Sequence, residues 1–425
     1  MFKNLNQTFS SLKVRNYRLY FIGQAISLIG TWMQTIAQDW LVLQLTHSGT
    51  QLGIVAAFQF LPVLIFGPLG GVVADRFSKR KLLYFTQSAA GILALVLGIL
   101  VLSGTVRIWM VYVLALSLGF VNMIDSPARQ TFVPELVGRE HLPNAVALNS
   151  TEVNLARALG PVIGGGIIAT IGIGLCFIFN AVSYVAVLIV LFLIHEQELQ
   201  ITPKASKAKN HLREGFAYIK SSPMLKNTLI MMAIIGTLSY EFSVSLPLLA
   251  QFTFHGTAAT YGFLVAGTGL GAIIGGLVAA GRKKTSIRIL VGSAFFFGVA
   301  LGLTAWMPSV DAAFLTLAFA GFFSINFISL GNTTLQLESA PEMRGRVMSL
   351  WAMAFLGSTP IGGPIIGWIG ENIGPRWALS VGGAAAILAA AYGAMALLKK
   401  ERPVPIPEEV RMQEEEMEAS GQTKI

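Results

Sequence analysis

The chain has 425 residues, of which 54% are hydrophobic and only 12% charged, with a mean hydropathy of +0.66. Soluble domains carry about 25% charged residues, so a water-facing globular protein is excluded and lipid must cover much of this surface. The net charge of +9 would suit a nucleic-acid partner, but the cations sit in short turns and tails between apolar runs. That is the positive-inside pattern of a polytopic membrane protein.

Twelve apolar runs follow one another, near 17–45, 51–74, 82–103, 107–126, 144–170, 172–194, 225–250, 258–281, 287–307, 311–335, 347–370 and 376–398. Each approaches or exceeds the roughly 20 residues that cross a hydrocarbon core as helix. The first is too long for a secretory signal and lacks a small-residue cleavage site. Cations alternate sides. One side takes the N-terminal segment (Lys3, Lys13, Arg15, Arg18), the turn after the second run (Arg76, Lys79, Arg80, Lys81) and the connection after the fourth (Arg129, Arg139). It also takes the middle loop, the turn after the eighth run (Arg282, Lys283, Lys284, Arg288), Arg344, Arg346 and the tail. Arg107 and Arg376 fall on the opposite side, and Arg157 lies within a run. Both chain ends are therefore expected in the cytoplasm. The single cysteine, Cys176, lies in an apolar run and leaves no intramolecular disulfide to form.

The polar middle loop divides the chain into an N-terminal six-helix bundle (1–194), a cytoplasmic loop (195–223), a C-terminal six-helix bundle (224–398) and a tail (399–425). Arg213 to Lys220 suits a short surface helix. The tail, with three prolines and then Glu414 to Glu416, reads as disordered. The halves look like degenerate copies. GGVVADRFSKRK (70–81) answers GGLVAAGRKKTS (275–286), and PVIGG (161–165) answers PIGG (360–363).

Gly71 to Leu83, GVVADRFSKRKLL, crowds four cations and one carboxylate into the turn between the second and third runs. It resembles the loop G-x-L-A-D-R-x-G-R-K-x-x-L of the major facilitator superfamily. Gly71, Ala74, Asp75, Arg76, Arg80 and Leu83 match, whereas Val73, Ser78 and Lys79 depart conservatively. The resemblance implies an all-α membrane protein of twelve transmembrane helices, arranged as two pseudo-symmetric six-helix bundles around a central cavity. It further implies that Asp75 faces the start of the eleventh helix, just after Arg344-Gly345-Arg346. A helix N-terminus attracts an exposed anion by roughly 0.3–1 kcal/mol, so this contact would latch the halves on the cytoplasmic side. GPVIGGG (160–166), preceded by Ala156, resembles the fifth-helix motif G-x-x-x-G-P-x-x-G-G of exporters in the superfamily, through Gly160, Pro161, Gly164 and Gly165, with alanine replacing the first glycine. Close helix packing is the competing account of such spacing, as it is for Gly267, Gly271 and Gly275. NYRLYFIGQAISLIGTWMQ (16–34), DSPARQTFVPELV (125–137), NAVALNS (144–150) and RGRV (344–347) are together similar to the bacterial branch that holds the enterobactin exporter and macrolide efflux proteins. One departure is that the fourth run, VYVLALSLGFVNMID, lacks the arginine that many drug–proton antiporters carry there.

Four ionisable groups fall within the runs, where a charge costs on the order of 3 kcal/mol at the bilayer centre. Counted from the basic end of each helix, Glu241 lies about 23 Å in, Arg157 about 20 Å, Glu152 about 12 Å and Asp39 about 31 Å. Removal from water favours the neutral form of a carboxylic acid, which proton coupling requires. Glu241 is the first candidate for the proton site, with Asp39 second and Glu152 shallower. Arg157 would tune that site or bind an anionic substrate. The competing account pairs Arg157 with Glu152 or Asp39 as a structural salt bridge, and leaves Asp39 in the outer headgroup layer. Intramembrane amides such as Gln24, Asn122, Asn180 and Asn326, and aromatics such as Trp32, Phe60, Phe242, Trp351 and Phe355, suit either a substrate path or helix packing.

No phosphate-binding G-x-x-x-x-G-K-[ST] is present. GLVAAGRKK (276–284) has arginine where the lysine belongs. H-E-x-x-H and a nucleophile elbow are also missing, and the five histidines are scattered. The expectation is a transporter rather than an enzyme, with no cofactor, metal or nucleic acid. It would export small drug-like or siderophore-like molecules across the bacterial cytoplasmic membrane by alternating access against inflowing protons, as a monomer. The alternatives are a proton-coupled importer and a non-transporting membrane sensor or scaffold.

Overall fold

The computed structural model describes residues 9–200, 211–282, 286–340, 343–355 and 357–400. The expected disordered tail beyond Lys400, together with Lys3, Lys283 and Lys284, lies outside them. Among the described residues the regular structure is entirely helical. Lipid supplies no hydrogen bonds, so a spanning backbone must satisfy its own groups within a helix.

The first half comprises α1 (Arg15–Thr46), α2 (Gly49–Arg76), α3 (Lys79–Leu102), α4 (Ile108–Gly138), α5 (Glu140–Ile171) and α6 (Ile173–Leu193). A surface helix, α7 (His211–Ser221), follows. The second half has α8 (Pro223–Leu238), α9 (Phe242–Leu248), α10 (Ala258–Ala280), α11 (Ile287–Ala305), α12 (Val310–Leu337), α13 (Arg344–Phe355), α14 (Thr359–Asn372) and α15 (Pro375–Lys400). Here α8 with α9, and α13 with α14, each form one spanning segment. Among the described residues, eleven segments are long and apolar enough to cross a membrane. The twelfth, α1, has 32 residues, about 48 Å of helix. It is less apolar because Gln24, Gln34, Gln38 and Asp39 lie along it, all four buried against its neighbours.

Three elements depart from the hydropathy reading. The fourth helix does not end at 126 but continues to Gly138, whose φ of 69° and ψ of −179° suit only glycine and turn the chain into α5. Arg129 is therefore a residue of α4, not of a connection, and the fourth helix does carry an arginine. The seventh span breaks at Ser239–Glu241, and the eleventh divides between α13 and α14.

Each half is welded by backbone-close contacts. Gly267, Gly271 and Gly275 of α10 pack against α12, where an added Cβ at Gly267 would come 2.8 Å from the Phe314 carbonyl oxygen and one at Gly275 2.6 Å from that of Phe322. The middle connection docks at both ends. Gln200 N donates to the Glu135 carbonyl (2.8 Å), and Arg80 meets Glu196 (3.2 Å), on the first half. α7 joins the second half through Glu214–Arg346 (2.6 Å) and through Tyr218 Oη, which accepts from Ala340 N (3.0 Å).

Gly271 faces the Ala318 carbonyl directly, whereas Gly276, on the same helix, has open space around it. Gly271→Val should therefore destabilise the protein by about 1–3 kcal/mol through overpacking, and Gly276→Val should not. Thermal unfolding of the two variants in detergent checks the contrast.

Candidate functional site

The break in the seventh span aims Glu241 into a cavity of about 230 Å³ between the halves. Trp32, Thr35 and Ile36 of α1, Phe60 of α2 and Arg157 of α5 line one side; Tyr240, Phe242, Tyr261, Phe355 and Thr359 line the other. Glu241 is buried, and its Oε1 has no hydrogen-bond partner. Gly362 leaves room for it, since a Cβ there would stand 3.0 Å from Oε1. The Arg157 guanidinium lies 5.1 Å from the centre of the Trp32 ring, makes no ion pair among the described residues, and leaves a buried Nε unpartnered. Tyr240 contacts Phe242 and Phe355 at ring separations of 5.3 and 5.2 Å, giving the second half an aromatic wall.

Asp39 is buried. It accepts a 2.7 Å hydrogen bond from Tyr261 across the two halves. Glu152 is also buried, but away from the cavity, because five residues turn a helix by about 140° between it and Arg157. The expected pairing of Arg157 with Glu152 or Asp39 does not occur.

A buried polar cluster in the first half escaped the sequence reading. Asp125 accepts from Thr86 (2.6 Å), Gln87 (2.8 Å) and Arg129, whose guanidinium also reaches Gln24 (3.4 Å). Nearby, Lys79 and Glu135 form a 2.9 Å pair with both side chains largely covered. The signal was the i,i+4 spacing of Asp125 and Arg129, hidden by ending the helix at the polar Asp-Ser-Pro.

The exporter-type glycines make α5 a strut between halves. Gly160 and Gly164 lie against Trp32 and Met33 of α1; Gly165 meets Ala258, and Pro161 meets Gly262, on α10. On the other seam Gly49 and Gly53 of α2 meet Gly367 and Gly363 of α14. At that far end of the bundle, Glu371 Oε2 accepts from Ser48 Oγ (2.6 Å) and Thr50 N (2.9 Å).

The basic end differs. Asp75 is exposed and has no hydrogen bond or ion pair among the described residues, and open space surrounds Gly71 and Gly345. Arg76 is exposed. Arg80 instead caps α6, donating to the carbonyls of Leu191 (2.9 Å) and Phe192 (3.3 Å). Arg344 donates to the Gln336 carbonyl (2.9 Å), while Arg346 holds Glu214. In this conformation the six latch residues do not meet one another.

Two six-helix halves around a shared cavity, joined by glycine-lined seams, define a secondary transporter of the major facilitator fold. The chain belongs to the transmembrane secretion effector family, whose model matches residues 6–423. It is 26% identical over 348 residues to the staphyloferrin A transporter of Staphylococcus aureus, covering 81% of this chain and 87% of that one. To the enterobactin exporter EntS of Citrobacter koseri it is 27% identical over 399 residues, covering 92% and 95%. A solved POT family transporter in complex with 5-aminolevulinic acid superposes with a TM-score of 0.72 at 13% identity, over 91% of this chain and 97% of that one, which speaks to fold alone. The relatives are transporters and not enzymes.

Asp125→Ala would remove the buried carboxylate that three donors share, one of them the charged Arg129. Breaking a buried pair in this way costs about 3–5 kcal/mol. Asp125→Asn, which keeps an acceptor, should cost visibly less, and the thermal midpoints of the two variants in detergent measure the order.

Proposed function

We propose that this protein exports small molecules across the bacterial cytoplasmic membrane by alternating access, driven by protons moving inward. The observation that carries the reading is the buried Glu241 carboxyl group in the cavity between halves, with one oxygen left without a hydrogen-bond partner. A carboxyl oxygen free of donors, reached from a cavity that serves both sides in turn, can take a proton on one side and release it on the other. Asp39 is the second proton candidate, and its bond to Tyr261 links it to the opposite half. Glu152, sequestered within the first half, would act on the seams rather than on the cavity. The density of cations at the end bearing α7 and the α2–α3 turn supports placing that end, and both termini, in the cytoplasm. The structure would then be the state open toward the cytoplasm. Similarity to the staphyloferrin A transporter and the enterobactin exporter supports outward movement of a siderophore-like or drug-like solute. The two six-helix units, 1–194 and 224–398, would rock about the seams as a monomer.

The experiment has two steps. A deletion strain is screened for growth inhibition by toxic compounds and iron chelators, and a compound that accumulates in it is then assayed in everted vesicles. Proton-driven uptake into everted vesicles is expected, and Glu241→Gln should reduce the gradient-driven component at least tenfold while leaving counterflow measurable. Full gradient dependence in that variant would remove Glu241 from the coupling, and lower intracellular accumulation in the deletion strain would make the protein an importer.

A further inference from the structure

Two groups of opposite charge face the same cavity and ignore each other. Among the described residues Arg157 makes no ion pair, and Glu241 keeps one carboxylate oxygen without a donor; each thus has a buried polar atom with no partner. The arginine is held in place: Gly160, one turn along α5, lets Trp32 lie against that helix, and the guanidinium rests over the indole face. Such a planar fork matches a carboxylate through two parallel hydrogen bonds, which an ammonium does not. The space between the charged groups is walled by Trp32, Tyr240, Phe242 and Phe355, whose faces suit an aromatic ring.

We propose that the cavity binds an aromatic solute bearing an acid group for Arg157 and a hydroxyl or amine hydrogen for Glu241. This assignment rests on the transporter reading and names its substrate class. It also explains why neither charged group is neutralised from within the protein: a standing Arg157–Glu241 pair would close the site to such a solute.

The test is equilibrium dialysis of the full chain in lipid nanodiscs with four probes: 4-hydroxybenzoate, 4-hydroxybenzamide, benzoate and 4-hydroxybenzylamine. The hydroxy-acid should bind at least about tenfold more tightly than its amide, the factor one charge-assisted bond supplies. Arg157→Gln should bring that ratio near one, and Arg157→Lys should restore part of it. Glu241→Gln should weaken 4-hydroxybenzoate more than benzoate. Variants with an unchanged thermal midpoint count as folded. Preference for the amine, an acid preference that survives Arg157→Gln, or binding of none of the probes by folded protein overturns the assignment. The export reading is judged separately, by the vesicle assay, and survives each of those results.

Discussion

The two halves are joined by backbone lying against backbone. In lipid, apolar side chains gain little by leaving one apolar neighbour for another, so helix association depends on close packing. The seams here meet that need with glycine on both faces, Gly49 and Gly53 against Gly367 and Gly363, and with Gly165 against Ala258 on the second seam. A seam of this kind has no interdigitated knobs to withdraw. It holds two rigid bodies close while leaving them free to tilt, and the rigidity comes from inside each half, where the Gly267–Gly275 ladder presses α10 onto α12.

Ionisable groups divide by the same logic. Several inside one half are well partnered: Asp125 has three donors, Lys79 faces Glu135, and Arg80 closes the last carbonyls of α6, although Glu152 keeps one oxygen without a partner. They fasten helices that keep their places through the cycle. Those at the boundary between halves are left incomplete. Glu241 keeps one oxygen without a donor, Arg157 has the Trp32 ring beside it but no ion pair among the described residues, and Asp39 has one hydrogen bond, supplied by the opposite half.

Much of the architecture could be read from residue order because the bilayer leaves so few solutions. Twelve apolar runs, a polar middle loop and one-sided cations identify the helices and their order. Interruptions of those helices were not legible. Ser239–Tyr240–Glu241 lies in an unbroken apolar context, and only the backbone shows that Glu241 precedes a new helix rather than sitting mid-span. The fourth apolar run stops at 126, yet the helix continues through Pro127 and Pro134. Asp125 and Arg129 were hidden by that error. The partners of Glu241 and Arg157 were not legible either, because they depend on rotation about the helix and on helices far away in sequence.

Alternating access requires two conformations within a few kcal/mol of each other, since a deep minimum on either side would stop the cycle. That limits what can close the far end. A fully buried ion pair across the seam would be costly to break, by about 3–5 kcal/mol once one partner is left behind. The contacts present are gentler. Glu371 is exposed and meets a hydroxyl and a helix-terminal N–H, the kind of interaction worth roughly 0.3–1 kcal/mol in water. Water can replace both donors as the end opens, and the glycine seam gives up only van der Waals contact. The far-end contacts are therefore weak enough to be reversed by the binding energy of a solute, and that is the condition under which events in the central cavity can decide which end opens.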